Sequence, residues 1–99
     1  MQGNCGCDMR GMLSFQILYL LSKKSMHGDA IAEEIGKRRG EKPKAGTIYP
    51  ALKDLKKKNL IKGIKKGKTI VYSLTSDGEK SVKYAREYFI RCFADVFRS

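Results

Sequence analysis

The side chains with the most distinctive chemistry are lysines gathered between residues 42 and 68. This segment contains ten lysines and one acidic residue, Asp54, which gives it a net charge of +9. The other residues of the 99-residue chain include 11 basic and 9 acidic side chains, a net charge of +2. Ammonium groups concentrated in this way suit a polyanion, whose binding releases condensed counterions and weakens steeply with salt. The pattern indicates a nucleic-acid partner, while a solvated basic face is the simpler alternative.

Catalytic chemistry has no comparable signature in the sequence. We find no nucleophile beside a general base, no carboxylate pair in an identifiable cleft and no phosphate-cradling glycine loop. His27 is the only histidine and stands near a predicted helix start, so we expect local packing or hydrogen bonding, with a metal or catalytic role as the alternative. The sequence predicts a binding protein and not an enzyme.

The apolar runs and cysteines bear on the cellular location. The longest apolar run, at residues 12–21, is too short to cross a bilayer and is interrupted by Ser14 and Gln16. The first ten residues lack the cationic-then-apolar order of a secretory signal. Three cysteines without zinc-finger spacing do not make a disulfide framework. We therefore expect a single small cytoplasmic domain with no membrane partner.

Two helices are predicted before the lysine-rich segment. Apolar residues at helical spacing predict a mostly buried first helix over residues 9–23. They are Met12, Leu13, Ile17, Leu20 and Leu21. A second helix should have Ser25 as its N-cap and should end at Gly40, and Pro43 then predicts a loop. The apolar face of the second helix consists of Ile31, Ala32 and Ile35.

The position of Pro50 predicts where a third helix begins. Because proline has no N–H to donate, it fits the first helical turn, so this helix should start at about residues 46–48. Ile48, Leu52 and Leu55 then face inward. Tyr49 and the neighbouring lysines face outward, where we expect Tyr49 to contact a base or phosphate and not the core. Thr47 either caps the helix or contacts a phosphate.

A basic β-hairpin is predicted to follow the third helix. Asn59 suits a left-handed helix end, and two β-rich runs at residues 60–65 and 69–74 flank a turn at Lys66-Gly67. Three helices and a hairpin make a winged helix-turn-helix over residues 1–75, of which residues 1–8 would be a flexible N-terminus. The expected fold is mainly α. Its predicted DNA contacts are Lys42, Lys44, Thr47, Tyr49, Lys53, Lys56, Lys57, Lys65, Lys66 and Lys68.

Three motifs in the sequence are similar to those of the PadR family of transcriptional regulators. They are HGDAIAEEI, GTIYPALKDLKKKNLI and YSLTSDGEK, and the resemblance extends over about residues 12–90. It implies a homodimeric winged-helix repressor with a C-terminal dimerisation helix and DNA contacts around Thr47 and Tyr49. Asn59 and Asp29 depart from the family pattern without threatening the fold. The short C-terminal region leaves a small-molecule effector as an open alternative.

The last helix, predicted from about Asp77 to Arg98, would form the dimer interface at residues 76–99. Its apolar residues follow a coiled-coil-like spacing, with a second stripe at Ile90, Phe93 and Phe97. The alternative is that this wide apolar face packs on the chain's own first helix. The predicted interface consists of Val82, Ala85, Phe89, Cys92, Phe93 and Val96.

Cys5 and Cys7 stand one residue apart and can point at a common centre. In a dimer like that of the family, the start of the first helix would approach Cys92 of the partner subunit, and Asp8 could supply a further ligand. Zinc or another soft metal, or a redox pair, could then act on the dimer. The simpler alternative is a pair of thiols in a disordered terminus. We expect no other cofactor.

Three functions remain open at the level of sequence. The first is a homodimeric, sequence-specific repressor of transcription that binds double-stranded DNA. The second is a non-specific architectural or RNA-binding module, and the third is a protein-interaction winged helix whose lysines only keep it soluble. A repressor should protect one short pseudo-palindrome, whereas an architectural protein would coat duplexes with little preference.

Overall fold

The computed structural model describes residues 9–98 of the chain, with the side chains of residues 12–94. Four helices and three strands follow one another along it. They are α1 (Met9–Lys23), β1 (Met26–His27), α2 (Gly28–Arg39), α3 (Ala45–Lys57), β2 (Ile61–Lys66), β3 (Thr69–Leu74) and α4 (Ser76–Arg98). This is the predicted winged helix-turn-helix with a long C-terminal helix. None of the helices between residues 9 and 98 has the length and apolar character needed to cross a membrane.

The sheet is antiparallel and has the strand order β1-β3-β2. β2 and β3 form the predicted hairpin, which we call the wing, and Lys66 pairs with Thr69 at its end. The connection is therefore Gly67-Lys68, one residue later than the predicted turn. Gly67 has a φ of 62°, and the first position of a two-residue hairpin loop favours glycine for this reason. The sequence did not predict β1, which pairs with β3 through only two residues, Met26 and His27.

α2 begins three residues after its predicted N-cap. Ser25 does not cap the helix, because Met26 and His27 are extended and pair with β3. His27 is the N-cap residue instead, and its Nδ1 accepts a hydrogen bond of 3.2 Å from the backbone N–H of Ala30. The predicted local hydrogen-bonding role of His27 is thus confirmed. The helix ends as predicted at Gly40, whose φ is 85°.

α3 begins at Ala45, slightly earlier than predicted, with Lys44 as its N-cap residue. Pro50 is consequently the sixth helical residue and lies in the second turn, so its predicted place in the first turn was wrong. In a regular helix the N–H of residue 50 would bond the carbonyl of Gly46, and proline cannot supply that bond. Gly46 is exposed, so water or a ligand can reach the carbonyl that proline leaves unbonded. The cost of the internal proline is reduced by this exposure.

One hydrophobic core joins the helices and the sheet. The predicted inward residues of α2 and α3 are all buried, which confirms both helical spacings. Met12 is an exception among the predicted core residues of α1, because 48% of its surface is exposed. The buried hydrophobic side chains of this core are Leu13, Ile17, Leu18, Leu20, Leu21, Met26, Ile31, Ala32, Ile35, Ile48, Leu52, Leu55, Ile61, Tyr72 and Val82.

Candidate nucleic-acid interface

The outward side of α3 carries an uninterrupted group of cations. Lys53, Lys56 and Lys57 are exposed, while Ile48, Leu52 and Leu55 hold the opposite side of the helix in the core. No acidic side chain between residues 12 and 94 forms an ion pair with these three lysines. Asp54, the one acid on the helix, pairs with Lys58 at 3.0 Å. The outward face therefore keeps its positive charge.

The N-terminal end of α3 is open to solvent and lacks a side-chain cap. Lys44 occupies the N-cap position without a side-chain hydrogen bond to the helix. Thr47 does not cap α3, which removes one of the two roles predicted for it. Its exposed side chain lies in a cleft with Pro50 and Asp54. The exposed start of a helix favours an anion, because its first N–H groups have no helical partner.

Tyr49 lies on the opposite flank of α3 from Thr47, about 160° away around the helix axis at 100° per residue. Its ring rests against the start of α2, where a Cβ on Gly28 would stand 2.8 Å from Cε1 and 2.9 Å from Oη. Only glycine permits this close approach. Tyr49 is nevertheless 47% exposed, so the phenol is supported on one side and accessible on the other.

Lys42 differs from the other predicted DNA-binding lysines because it has an acidic partner. Its Nζ lies 2.9 Å from Oδ1 of Asp29. The hydrogen bond to this carboxylate raises the pKa of Lys42 above its ordinary value. The ion pair joins the loop before α3 to the first turn of α2. Lys42 therefore holds this loop in place, and its positive charge is largely compensated by Asp29.

The wing carries three of the predicted lysines at its far end. Lys65 pairs with Ile70 and Lys66 with Thr69 in the β2–β3 register, while Lys68 occupies the turn. All three lysines are exposed, and none forms an ion pair within the part of the chain whose side chains are described. The hydroxyl group of Thr69 donates a hydrogen bond of 3.2 Å to the Lys66 carbonyl oxygen and so stabilises the turn.

A shallow cleft separates Tyr49 from the tip of the wing. His27, Asp29, Lys68 and Thr69 line it, and buried Tyr72 forms part of its floor. Burial raises the pKa of the Tyr72 phenol, and Tyr49 raises it further. Sequence reasoning missed the contribution of His27, Gly28 and Asp29 to this surface. The histidine-glycine pair before α2 was the available signal, but only the fold shows that Gly28 faces Tyr49.

The predicted dimer interface is divided between the chain's own core and its surface. α4 packs on α1, with Val82 buried in the core and the rings of Phe89 and Phe15 4.9 Å apart. Val82 is therefore unavailable to a partner, contrary to its predicted place in the interface. Ala85 is half-buried, Cys92 and Phe93 are exposed, and the side chain of Val96 lies outside the described residues.

Large apolar side chains are wholly or partly exposed near the start of α1 and the end of α4. Ile90 is 65% exposed and Phe93 43% exposed, and Phe93 stacks on Phe89 with ring centroids 5.6 Å apart. Exposed Met12 lies one turn before Phe15 on α1. We call Met12, Phe15, Phe89, Ile90 and Phe93 the α1–α4 patch.

The predicted metal or redox site at Cys5 and Cys7 lies outside the described residues, as does Asp8. Cys92 is exposed and carries a free thiol. Among residues 12–94, whose side chains are described, no group of three or more His, Cys, Asp and Glu residues could hold a metal ion. The site at Cys5 and Cys7 stays a prediction, which elemental analysis of protein purified without chelator would test.

A helix-turn-helix with a lysine-bearing third helix and a basic wing defines a class of DNA-binding protein. The chain belongs to the transcriptional regulator PadR-like family, whose model matches residues 17–84. It is thus a DNA-binding transcriptional regulator of the winged-helix type, as the resemblance in its motifs indicated.

Solved structures of family members and other regulators are similar to this chain. RosR from H. salinarum is 30% identical, with 82% of this chain and 74% of that chain covered and a TM-score of 0.77. A PadR family transcription regulator from Clostridium difficile is 30% identical, with 90% and 100% covered and a TM-score of 0.73. A PadR-like regulator from Bacillus cereus has a TM-score of 0.82 at 23% identity, with 91% and 92% covered, and supports the fold alone. No curated protein matches the sequence.

Proposed function

We propose that this protein is a homodimeric, sequence-specific repressor that places α3 in the major groove of double-stranded DNA and the wing on the flanking minor groove. The observation that carries the proposal is a set of exposed lysines on α3 and the wing without ion pairs in the part of the chain whose side chains are described. They are Lys53, Lys56, Lys57, Lys62, Lys65, Lys66 and Lys68, together with Lys44 at the N-cap of α3.

The lysines and the two hydroxyl-bearing residues of α3 are proposed to make different kinds of DNA contact. Lysines bind phosphates as point charges and supply affinity that depends little on sequence. Tyr49 and Thr47 flank the outward face of α3 and would carry more of the sequence preference. The action is binding and not catalysis, and a regulator of this kind would act in the cytoplasm beside its DNA.

The α1–α4 patch supports the proposal of a dimer. Two exposed apolar residues, Ile90 and Phe93, continue a ring cluster that the chain covers only in part. A second copy would remove this surface from water, which is the usual reason for a large exposed apolar patch. A two-fold dimer would then present two α3 helices to half-sites one DNA turn or a multiple apart. The small-molecule effector stays a prediction.

Footprinting on the DNA upstream of the protein's own gene, repeated across a salt series, tests the proposal. We expect protection of one short pseudo-palindrome, with much weaker binding to the same bases in scrambled order. Protection of every duplex without preference would instead support an architectural protein. Absence of duplex binding even at low salt would overturn the proposal and favour a protein-interaction role.

A further inference from the structure

The cleft between α3 and the wing has a volume of about 450 Å³. The DNA contacts proposed above do not include a ligand in this cleft. We call it the helix–wing cleft. The residues that line it include His27, Asp29, Tyr49, Lys68 and Tyr72. It lies between the two elements that the proposed function puts on DNA, and the inference drawn from it rests on that function.

Duplex geometry determines which part of the DNA would cross this cleft. The major and minor grooves are separated by a single sugar-phosphate backbone. With α3 in the major groove and the wing on the neighbouring minor groove, that backbone must pass between them. It would therefore run over the helix–wing cleft and present a phosphate to it.

The hydrogen bond between His27 and Ala30 fixes a ring tautomer that suits a phosphate in this cleft. Nδ1 of His27 accepts the N–H of Ala30 at 3.2 Å and therefore carries a lone pair. In the neutral ring the hydrogen then resides on Nε2, which becomes a donor. No group between residues 12 and 94 forms a hydrogen bond with Nε2. The hydrogen bond that caps α2 thus leaves a donor available.

The other groups of the cleft are compatible with an anion. Lys68 is exposed at the turn of the wing and has no ion pair with a described side chain. The Asp29 carboxylate is compensated by Lys42 at 2.9 Å. The hydroxyl of Tyr49 lies beside Gly28, next to His27 in the chain, and Tyr72 below it is buried.

We propose that the helix–wing cleft binds one backbone phosphate of duplex DNA, with Nε2–H of His27 and the ammonium group of Lys68 as its two donors. His27 is a neutral donor and Lys68 a charged one. The two contacts consequently differ in their salt dependence, because only a cation displaces condensed counterions.

The variants His27→Asn and Lys68→Gln test this site on the footprinted duplex and its scrambled form. Asparagine keeps an acceptor for the N–H of Ala30 and is a preferred N-cap residue, so α2 should remain capped. It lacks the donor at Nε2. We expect His27→Asn to lower affinity roughly 10-fold for both duplexes with an unchanged salt slope. Lys68→Gln should lower both affinities and flatten the slope by about 0.9.

Duplexes with single phosphates replaced by uncharged methylphosphonate locate the contact. Wild-type protein should lose affinity at one phosphate between the two grooves in each half-site. Each single variant should lose part of that sensitivity, because the other donor remains, and the double variant should lose all of it. Lys80→Gln, on the outer side of α4, is the matched control and should keep the wild-type pattern.

The outcomes separate this inference from the function on which it rests. If wild-type protein binds no duplex, the proposed function and the site both fail. If wild-type protein binds specifically while His27→Asn and Lys68→Gln retain its affinity and its methylphosphonate pattern, only the site fails. A His27→Asn variant whose thermal unfolding is markedly lowered is replaced by His27→Ser, which keeps a capping oxygen, and the same comparison decides.

Discussion

Two surfaces lie on the same small core: the basic surface, formed by α3 and the wing, and the apolar α1–α4 patch. The exposure of lysines on the first and of apolar side chains on the second supports different conclusions about a partner. Lysines are well solvated, so their exposure alone does not indicate a partner. Eight lysines without an ion pair do indicate a partner, since like charges held together repel unless a polyanion compensates them. Exposed Ile90 and Phe93 are different, because apolar side chains of this size in one patch usually lie against another surface.

In both regions, some side chains have partners within the chain and others do not. Lys42 and Lys58 belong to the basic segment but are paired with Asp29 and Asp54. Val82 belongs to the predicted interface but is buried in the chain's own core, and Phe89 is covered only in part by Phe15. In both regions the residues left for another molecule are those that the fold does not satisfy.

The largest effect is expected from breaking the apolar patch. Ile90→Asp places a carboxylate where a second copy would pack, so sedimentation should show a monomer. Affinity for the footprinted duplex should fall on the order of 100-fold, because the second half-site no longer binds within the same assembly. Lys80→Asp puts the same group on the outer side of α4 and should remain a dimer. A dimeric Ile90→Asp variant would refute the role of the patch.

A smaller effect is expected from disturbing the support of Tyr49. In Gly28→Ala the new methyl group would stand 2.8 Å from Cε1 of Tyr49 and must displace the ring. Specific affinity should fall about 10-fold, which corresponds to about 1.4 kcal/mol. In a Tyr49→Ala background the same substitution should have no further effect. A further loss in that background would show that Gly28 acts through something other than Tyr49.

The two lysines that flank Pro43 offer a matched pair. Lys44→Ala removes a charge without an acidic partner, so affinity should fall roughly 5-fold and the salt slope should flatten by about 0.9. Lys42→Ala removes a lysine already paired with Asp29 and should change the slope less. Fluorescence anisotropy over a range of salt concentrations measures both. Equal slopes for the two variants would show that the ion pair does not persist on DNA.

The smallest effect is expected from the loss of a single hydroxyl group. Tyr49→Phe removes only the hydroxyl, and Thr47→Ala removes a hydroxyl with a methyl group, so specific affinity should fall by roughly 3- to 5-fold and scrambled-duplex affinity by less. Competition between the two duplexes in one titration measures the ratio. An equal loss for both duplexes would make these residues positioning contacts.

Regular apolar spacing explains what the sequence could predict. Ile48, Leu52 and Leu55 reveal α3, and the glycines at 40 and 67 mark a helix end and a hairpin turn. β1 could not be predicted from local pattern, because two residues become a strand only by pairing with β3. The cap of α2 was missed for a related reason, since histidine is not among the favoured N-cap residues.

In the candidate sites, too, the sequence predicted the types of residue but not their tertiary contacts. Lysine density predicted the basic surface, but the pairing of Lys42 with Asp29 and the seating of Tyr49 on Gly28 are tertiary contacts between α2 and the segment after it. Periodicity likewise predicted an apolar face on α4. It could not tell whether Val82 and Phe89 meet the chain's own α1 or another copy, because helical spacing identifies an apolar face but not what covers it.

We propose that the basic surface and the apolar patch act together, so that two copies hold two half-sites. The most direct test of this cooperation compares the affinity of wild-type protein for the footprinted duplex with its affinity for the same duplex after one half-site is scrambled. We predict binding weaker on the order of 100-fold for the second duplex, because one α3 and one wing lose their specific contacts. Equal affinity for the two duplexes would contradict the claim.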